Sequence, residues 1–494
     1  MAEHLGRMLR RTAERYPDHI AIRTDRVELT FTELDRRVTR CARELTRLAG
    51  GRGHVIGVAA VLDPAFAIAY YAVVRSGNVV AIVNPLLRED GLRATVGASG
   101  ARLLLACGEV AARARASSAV EHVADLDAVT AADGSEDGSA GPDDAGDPDD
   151  AACIQFTSGT TGRPKAVVLS HRNLVVNAAQ IAEAHELDEH AISLNHLPTY
   201  HPMHLNSAVH AGALQVLCTS PSSADAIDLA NRNEATHYYS LPVRLARLAA
   251  DPGLPDLRLR TVGRVLSGGS ALPVPAARTL SEHFGIPVLQ GYGLAETSPL
   301  THVDSPQHPR IGSVGQPVSG TECRVTDLAT GQPLPAGERG EVQVRGPQLM
   351  RGYLGEPPLE PGAWFATGDV GRIDEDGYLF LVDRLKDVFK CDNWLVAPSE
   401  IEEVLLAVPG VADAAVVDAP DPFSGAVAHA FIVVRDGADP TAIQTSVNAR
   451  MPYYQHIRDT TVVERIPRSG IGKIQRRELR ERLRPIPEEE ALPW

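Results

Sequence analysis

Lysine is almost missing from this chain of 494 residues, although it is normally among the commonest residues of a protein. Arginine supplies most of the basic side chains, and the formal net charge of −15 argues against a general nucleic-acid surface. Arginine cannot replace lysine where a compact charge must approach a phosphate or a carboxylate. The retained lysines are therefore candidate functional residues, with chance placement as the alternative: Lys165, Lys386, Lys390 and Lys473.

Paired cysteines, long apolar runs and a signal peptide are also missing. The six cysteines are scattered singly, without a Cys-x-x-Cys pair or zinc-ligand spacing, which favours free thiols in a reducing cytoplasm. The most apolar stretch, from Val55 to Val83, is interrupted by Asp63, Pro64 and Arg75 and is too broken to span a membrane. The first residues show no signal-peptide pattern. We therefore expect a cytoplasmic protein without a membrane span.

The hydrophobic pattern indicates helices alternating with strands. Residues 31–49 are typical of an amphipathic helix, with Thr30 as N-cap and Glu33 placed for a capping box. Residues 55–60 and 79–83 are typical of buried strands separated by a helix, which predicts a parallel sheet covered by helices.

The later parts of the chain change in character. Residues 133–150 are acidic and rich in Gly, Ser, Ala and Pro, which favours a flexible linker over an acidic interaction tail. Short strand-like segments with frequent Gly and Pro predict a β-rich subdomain over 310–382. From about 387 a small α+β domain is expected, with a helix over 399–406 and a strand over 414–418.

A loop rich in glycine and hydroxyl groups follows a short strand predicted over 152–156. Hydroxyls and backbone N–H groups in such a loop can wrap phosphate oxygens, and a lysine adds a point charge. The spacing is not that of a Walker loop, which argues against an ordinary P-loop NTPase. By composition alone the loop is equally a plain turn. The candidate phosphate ligands are Thr157, Ser158, Gly159, Thr160, Thr161 and Lys165.

This loop resembles the signature of the adenylate-forming superfamily, which includes acyl-CoA and aryl-CoA ligases, the adenylation domains of peptide synthetases, and luciferases. Further segments match the family in order along nearly the whole chain. The resemblance implies a multidomain α/β protein. A large N-terminal AMP-binding domain, 1–384, would hold two parallel-type sheets with helices and the β-rich subdomain. A small mobile α+β domain, 385–494, would follow.

A second segment, from Gln290 to Thr297, resembles the adenine segment of that family. The resemblance implies that Tyr292 stacks on adenine, Thr297 contacts the α-phosphate and Glu296 helps to hold Mg2+. An aromatic face suits a purine and a carboxylate suits a hard cation, although a glycine-rich turn around a core tyrosine is the alternative. The glycines and the serine implied to line the adenine and acyl pockets are Gly268, Gly269, Ser270, Gly291 and Gly293.

The C-terminal part carries further matching residues. The resemblance implies that Asp369 accepts the ribose hydroxyls, that Arg384 lies near the ribose and phosphates, and that Lys386 is the hinge of the mobile domain. An Arg–Asp surface pair is the alternative for such isolated residues. Lys390 follows as a further cofactor-binding candidate. Lys473 would bridge the substrate carboxylate and the α-phosphate, where positive charge offsets the approach of two anions. Residues 476–480 are typical of an exposed charged helix face, although an arginine there could touch a phosphate.

The chain departs from the family at two positions. The segment 197–204 resembles the one that gates the acyl pocket, with Tyr200 and His201 in place but His204 where a glycine is usual. A metal-binding pair of His201 and His204 is disfavoured because no third ligand is evident. This segment has no Asp to meet an α-amino group. Asn393 replaces the glycine that the family usually has where the pantetheine arm of the thiol passes. A side chain at this position could narrow the tunnel, which argues against efficient transfer to CoA but not against adenylation.

The sequence therefore predicts an ATP- and Mg2+-dependent acyl-CoA synthetase that forms an acyl-adenylate and then a CoA thioester by domain alternation. The expected substrate is a hydrophobic or bulky carboxylic acid of secondary metabolism. One alternative is an enzyme that loads a separate acyl carrier protein. Another is a catalytically silent ligand-binding protein, which Lys473 and Glu296 disfavour. The oligomeric state is left open, with a homodimer as one possibility.

Overall fold

The computed structural model describes residues 4–61, 63–131, 146–158, 164–196, 201–392, 394–435, 437–468 and 474–483. The chain divides into two compact units. The first comprises Met1–Cys323 and Val344–Phe365, and the second comprises Arg324–Gln343 and Ala366–Trp494. The domain boundary after residue 384 stays a prediction.

The helices begin and end as follows: α1 (Leu5–Arg15), α2 (Phe31–Ala49), α3 (Pro64–Arg75), α4 (Glu89–Ser99), α5 (Gly108–Ala116), α6 (Leu126–Ala131), α7 (His171–His185), α8 (Met203–Ala211), α9 (Ser223–Arg232), α10 (Pro242–Ala249), α11 (Val274–Phe284), α12 (Pro398–Leu406), α13 (Pro440–Asn448) and α14 (Arg476–Arg482). Within the described part of the chain, none of them is long and apolar enough to cross a bilayer.

The N-terminus of α2 shows how local sequence sets a helix boundary. The Thr30 hydroxyl accepts the Glu33 N–H at 3.1 Å, so the predicted N-cap is confirmed. The Glu33 carboxylate pairs with Arg37 at 2.5 Å instead of returning to the backbone of Thr30. Half of the predicted capping box is therefore wrong, because an arginine one turn along the helix takes the carboxylate.

The strands of the first unit and its borders are β1 (Ile20–Arg23), β2 (Glu28–Thr30), β3 (Val55–Ala59), β4 (Val79–Ile82), β5 (Leu103–Ala106), β6 (His122–Asp125), β7 (Ala151–Ser158), β8 (Pro164–Ser170), β9 (Ile192–His196), β10 (Leu214–Leu217), β11 (His237–Ser240), β12 (Arg264–Ser267), β13 (Val288–Gly293), β14 (Leu300–Val303), β15 (Gln316–Pro317), β16 (Glu322–Thr326), β17 (Gly340–Arg345) and β18 (Gly352–Tyr353). The remaining strands are β19 (Phe365–Ile373), β20 (Leu379–Arg384), β21 (Phe389–Cys391), β22 (Trp394–Val396), β23 (Val411–Asp421), β24 (Gly425–Val434) and β25 (Ile457–Val462).

Two large sheets organise the first unit, which confirms the predicted parallel-type architecture. The nine-stranded sheet has the order β15-β14-β13-β12-β11-β9-β10-β1-β2 and is parallel from β13 to β1. The seven-stranded sheet has the order β18-β8-β7-β4-β3-β5-β6 and is parallel from β7 to β6. Helix α3 lies in the core, because it carries apolar residues on all of its faces, and Phe66, Tyr70 and Tyr71 are fully buried.

The second unit holds the predicted β-rich and α+β elements. Strands β16, β17, β19 and β20 form a four-stranded sheet, and β21 to β25 form a five-stranded sheet. In the five-stranded sheet β24 pairs with β21, with β23 and with β25. Helices α12 and α14 pack on β23. The predicted helix and strand of this region are confirmed. The helix begins one residue earlier than expected, and the strand extends three residues further at each end.

The last residues of the predicted linker make defined contacts. Asp149 pairs with Arg172 at 2.5 Å, and the Asp150 carbonyl accepts the His171 N–H at the start of α7. The rest of that linker, residues 133–145, lies outside the described residues.

Candidate functional site

The predicted phosphate loop is the connection of a β-hairpin. Strands β7 and β8 are antiparallel, with Thr157 opposite Lys165 and Ser158 opposite Pro164. Gly159, Thr160 and Thr161 lie outside the described residues. Both ends of the loop are thus fixed by a sheet ladder, and Lys165 is exposed beside its mouth.

One tyrosine joins the loop lysine to the predicted metal carboxylate. The Lys165 ammonium lies 4.6 Å from the centroid of the Tyr353 ring, and the Tyr353 hydroxyl donates to Glu296 Oε1 at 3.0 Å. Burial and then the Glu296 charge raise the pKa of Tyr353, so the phenol keeps its proton at neutral pH. Sequence reasoning missed Tyr353, because nothing in its own segment shows that its strand pairs with β8.

Glu296 has the surroundings of a ligand for a hard cation. It lies in a 3-10 turn over Ala295–Thr297 and is buried, with its backbone carbonyl bonded to the Met350 N–H at 2.8 Å. Among the described residues no group of three His, Cys, Asp or Glu side chains could hold a metal. One carboxylate together with substrate phosphates and water is the usual way that proteins hold Mg2+, so this donor set fits.

The Thr297 hydroxyl is used within its own turn. It accepts the Leu294 N–H at 3.0 Å and contacts the carbonyl oxygens of Leu294 and Pro299, and the residue is fully buried. A contact with an α-phosphate would require this hydroxyl to leave those partners. That contact stays a prediction.

The predicted adenine and acyl glycines lie where two parallel strands end. Tyr292 is buried on β13, its ring 5.9 Å from the ring of His302 on the adjacent strand. A Cβ on Gly293 would lie 1.8 Å from the Pro299 carbonyl oxygen, and one on Gly268 would lie 3.3 Å from the Gly291 oxygen. Close backbone packing therefore accounts for Gly293. Gly269 and Ser270 follow β12 and are accessible.

Substitution of Gly293 by Ala should disrupt the turn that carries Glu296. The new methyl group must displace the Pro299 carbonyl, an overpacking change that costs about 1–3 kcal/mol or more. We expect a lower midpoint of thermal unfolding and a matching loss of activity. The control is Gly97→Ala on α4, where a Cβ meets nothing within 4 Å. A Gly293→Ala protein as stable as that control would contradict the argument.

A buried histidine occupies the acyl segment where the family has a glycine. Tyr200 lies outside the described residues, and His201 is partly exposed at the start of the described part. The centroid of the His204 ring lies 4.2 Å from that of Tyr239, with the two rings tilted by 44°, and the Tyr239 hydroxyl is 2.9 Å from His185 Nδ1. Burial lowers the pKa of His204 to about 3, so the ring is neutral. Its Nδ1 has no hydrogen-bond partner among the described residues.

In the second unit, Asp369 and Arg384 face each other on β19 and β20. Arg384 Nε lies 2.7 Å from Asp369 Oδ1, and Asp369 is buried. Lys386 lies exposed in the turn between β20 and β21, and Lys390 is exposed on β21. Lys473 and Asn393 lie outside the described residues.

The helix after the Lys473 segment is anchored by arginines. Arg476 binds Glu402 with two hydrogen bonds of 2.7 and 2.8 Å, and its side chain is only 11% exposed. The predicted exposed charged face is therefore wrong at this position, because Glu402 and the Val416 carbonyl draw the guanidinium into the unit. Arg480 binds Asp387, in the predicted hinge turn, at 3.1 Å.

Comparison with known proteins decides the family. The AMP-binding enzyme model matches residues 9–354, more than half of the chain. The chain belongs to the AMP-binding enzymes. The model of the AMP-binding enzyme C-terminal domain matches residues 400–473. The predicted membership of the adenylate-forming superfamily is thereby confirmed, and this AMP-binding enzyme is an AMP-forming acid–thiol ligase.

Several known AMP-binding enzymes are similar over most of their length. A 4-coumarate–CoA ligase 5 of Oryza sativa subsp. japonica is 32% identical over 92% of this chain and 89% of its own. A feruloyl-CoA synthase of Amycolatopsis sp. is 32% identical over 97% and 99% of the two chains. The ATP-bound MatB of Rhodopseudomonas palustris superposes with a TM-score of 0.87 at 26% identity, covering 97% of this chain and 99% of that one.

Proposed function

We propose that this protein activates a hydrophobic or bulky, preferably aromatic, carboxylic acid with ATP and transfers the acyl group to CoA. The observation that carries the proposal is the chain of contacts from Lys165 through Tyr353 to Glu296, at 4.6 and 3.0 Å. These contacts bring an ammonium, which is able to bind phosphate, and a carboxylate, which is able to bind a cation, to one and the same phenol. A triphosphate with its counter-cation requires both charges close together.

In the first half-reaction an oxygen of the substrate carboxylate bonds to the α-phosphorus, and the bond from that phosphorus to the bridging oxygen of pyrophosphate breaks. Lys165 binds phosphate oxygens through its compact charge. Bound Mg2+, held by Glu296, would supply neutralising charge for the phosphates. Lys473 lies between the two reacting anions in this proposal and lowers their repulsion. Asp369, already fixed by Arg384, receives the ribose hydroxyls.

In the second half-reaction the sulfur of a thiol bonds to the acyl carbon while the thiol proton passes to water. The bond from that carbon to the phosphate oxygen breaks, and AMP leaves with the electron pair of that bond. Rotation about Lys386 would withdraw Lys473 and admit the thiol, as a hinge movement between two packed states. Leu385 and Lys386 are exposed in this turn, which suits a hinge.

The substrate class is supported by the names of the similar proteins and by the uncharged His204 in the segment that resembles the gate of the acyl pocket. The names of the similar proteins specify 4-coumarate and ferulate, both aromatic acids. In this chain His204 is neutral and packs against the Tyr239 ring in a tilted contact. A neutral aromatic and imidazole surface favours an aromatic ring over a second carboxylate or an ammonium group.

The test is a panel of aromatic and aliphatic acids, assayed for pyrophosphate release and for thioester formation with free CoA. We expect both products from at least one aromatic acid. Asn393, in place of the family glycine, favours a second candidate, the loading of an acyl carrier protein. Pyrophosphate release without a CoA thioester, together with acylation of a phosphopantetheinylated carrier protein, would replace the CoA proposal by that one.

A further inference from the structure

Tyr353 belongs to a segment that is hydrogen-bonded to both halves of the phosphate site. The Arg351 N–H donates to the Val168 carbonyl at 2.9 Å and the Leu354 N–H donates to the Ala166 carbonyl at 2.8 Å. Through these bonds β18 pairs antiparallel with β8, the strand that carries Lys165. One residue before Arg351, the Met350 N–H donates to the carbonyl of Glu296 at 2.8 Å. The backbone of residues 350–354 thus ties the lysine strand to the glutamate turn.

The side chain of Tyr353 repeats this connection. Its ring packs against the main hydrophobic core, which fixes its position, and its face meets the Lys165 ammonium at a distance typical of a cation–π contact. Its hydroxyl is the only group among the described residues that donates a hydrogen bond to the Glu296 side chain. That bond occupies Oε1 and leaves Oε2 without a hydrogen-bond donor there.

We propose that Tyr353 is a positioning residue that holds the Glu296 carboxylate with Oε2 ready for the divalent cation. Its ring supports the Lys165 ammonium beside the same site. The inference rests on the proposed function for the roles of Glu296 and Lys165. A carboxylate on a flexible side chain binds a cation more tightly when a hydrogen bond from a fixed group has already oriented it.

The experiment replaces Tyr353 by Phe, which keeps the ring over Lys165 and removes only the hydroxyl. Binding of Mn2+ to the complex with α,β-methylene-ATP is measured by electron paramagnetic resonance, and the Mg2+ dependence of pyrophosphate release is measured in parallel. We expect the affinity for either cation to fall about 10–100-fold, with the KM for the acid unchanged. Tyr353→His, which restores a ring with a donor, should recover part of the affinity.

The matched control is Tyr71→Phe, which removes another tyrosine hydroxyl of the same unit, bonded to Asn206 at 2.9 Å, without touching Glu296. It should leave the cation dependence unchanged. The double variant Tyr353→Phe with Glu296→Gln should bind the cation no worse than Glu296→Gln alone, because the hydroxyl acts only through that carboxylate.

The outcomes separate the inference from the proposed function. A folded Tyr353→Phe protein with wild-type Mn2+ affinity would overturn the inference, and so would additive losses in the double variant. A wild-type protein that releases no pyrophosphate with any acid, yet binds Mn2+ and the ATP analogue in a Tyr353-dependent way, would refute the proposed function and support the inference.

Discussion

Replacement of Lys473 by Ala should slow acyl-adenylate formation by about 10²–10³-fold, the usual cost of removing one preorganised charge or donor from a transition state. The reason is that two anions, the substrate carboxylate and the α-phosphate, must approach each other. Without the Lys473 ammonium, only Lys165 and the bound cation would neutralise the charge that makes the two anions repel each other. The measurement is pyrophosphate release under saturating ATP and acid.

The same variant should convert a supplied acyl-adenylate and CoA to the thioester at nearly the wild-type rate, because the proposed rotation about Lys386 withdraws Lys473 in that step. Lys165→Ala is the informative comparison, since it removes another ammonium implied to bind phosphate. A Lys473→Ala protein with near-normal pyrophosphate release would refute the role. An equal loss in both half-reactions would show that the residue supports folding instead.

The pair of Glu402 and Arg476 should govern the stability of the second unit. Both side chains are nearly inaccessible, and each is the main charged partner of the other. Removal of Glu402 leaves Arg476 with the more distant Asp383 at 4.0 Å. Removal of Arg476 leaves the Glu402 carboxyl, whose pKa burial raises to about 7, without its guanidinium partner. Glu402→Leu or Arg476→Met should therefore cost up to about 3–5 kcal/mol. The double variant should recover much of that loss, because apolar side chains of similar volume replace the pair. Calorimetric unfolding of the four proteins closes the double-mutant cycle.

The control for that cycle lies on the same helix. Arg477 and Glu481 form an exposed pair at 2.9 Å, and Arg477→Met should change stability by no more than about 0.5 kcal/mol. If the double variant lost as much free energy of unfolding as the two single variants together, the interaction between Glu402 and Arg476 would make no contribution to stability.

Sequence periodicity was sufficient where structure is set by neighbouring residues. The bounds of α2 follow from its apolar spacing and from Thr30, and the buried strands β3 and β4 follow from short β-branched runs. The family resemblance extended this reasoning to the family of the chain and to its α/β fold class. These features depend on residues that are close in sequence or on motifs with fixed spacing.

The features that escaped prediction depend on distant partners. Tyr353 is bonded to a glutamate 57 positions earlier, and Arg476 to one 74 positions earlier. Helix α14 has seven residues and a high charge, so its sequence alone favours exposure. A buried partner such as Glu402 reverses that preference, and no local pattern in α14 reports it.

The near absence of lysine has a chemical consequence for an enzyme of this kind. An acyl-adenylate is a mixed anhydride, and it acylates any primary amine that it meets outside the site in which it forms. Lys165, Lys386 and Lys390 are exposed, and the whole chain contains one further lysine. Most surface cations are guanidinium groups, which stay protonated and do not attack such anhydrides. The protein is thus poorly supplied with nucleophiles that its own reactive intermediate could modify.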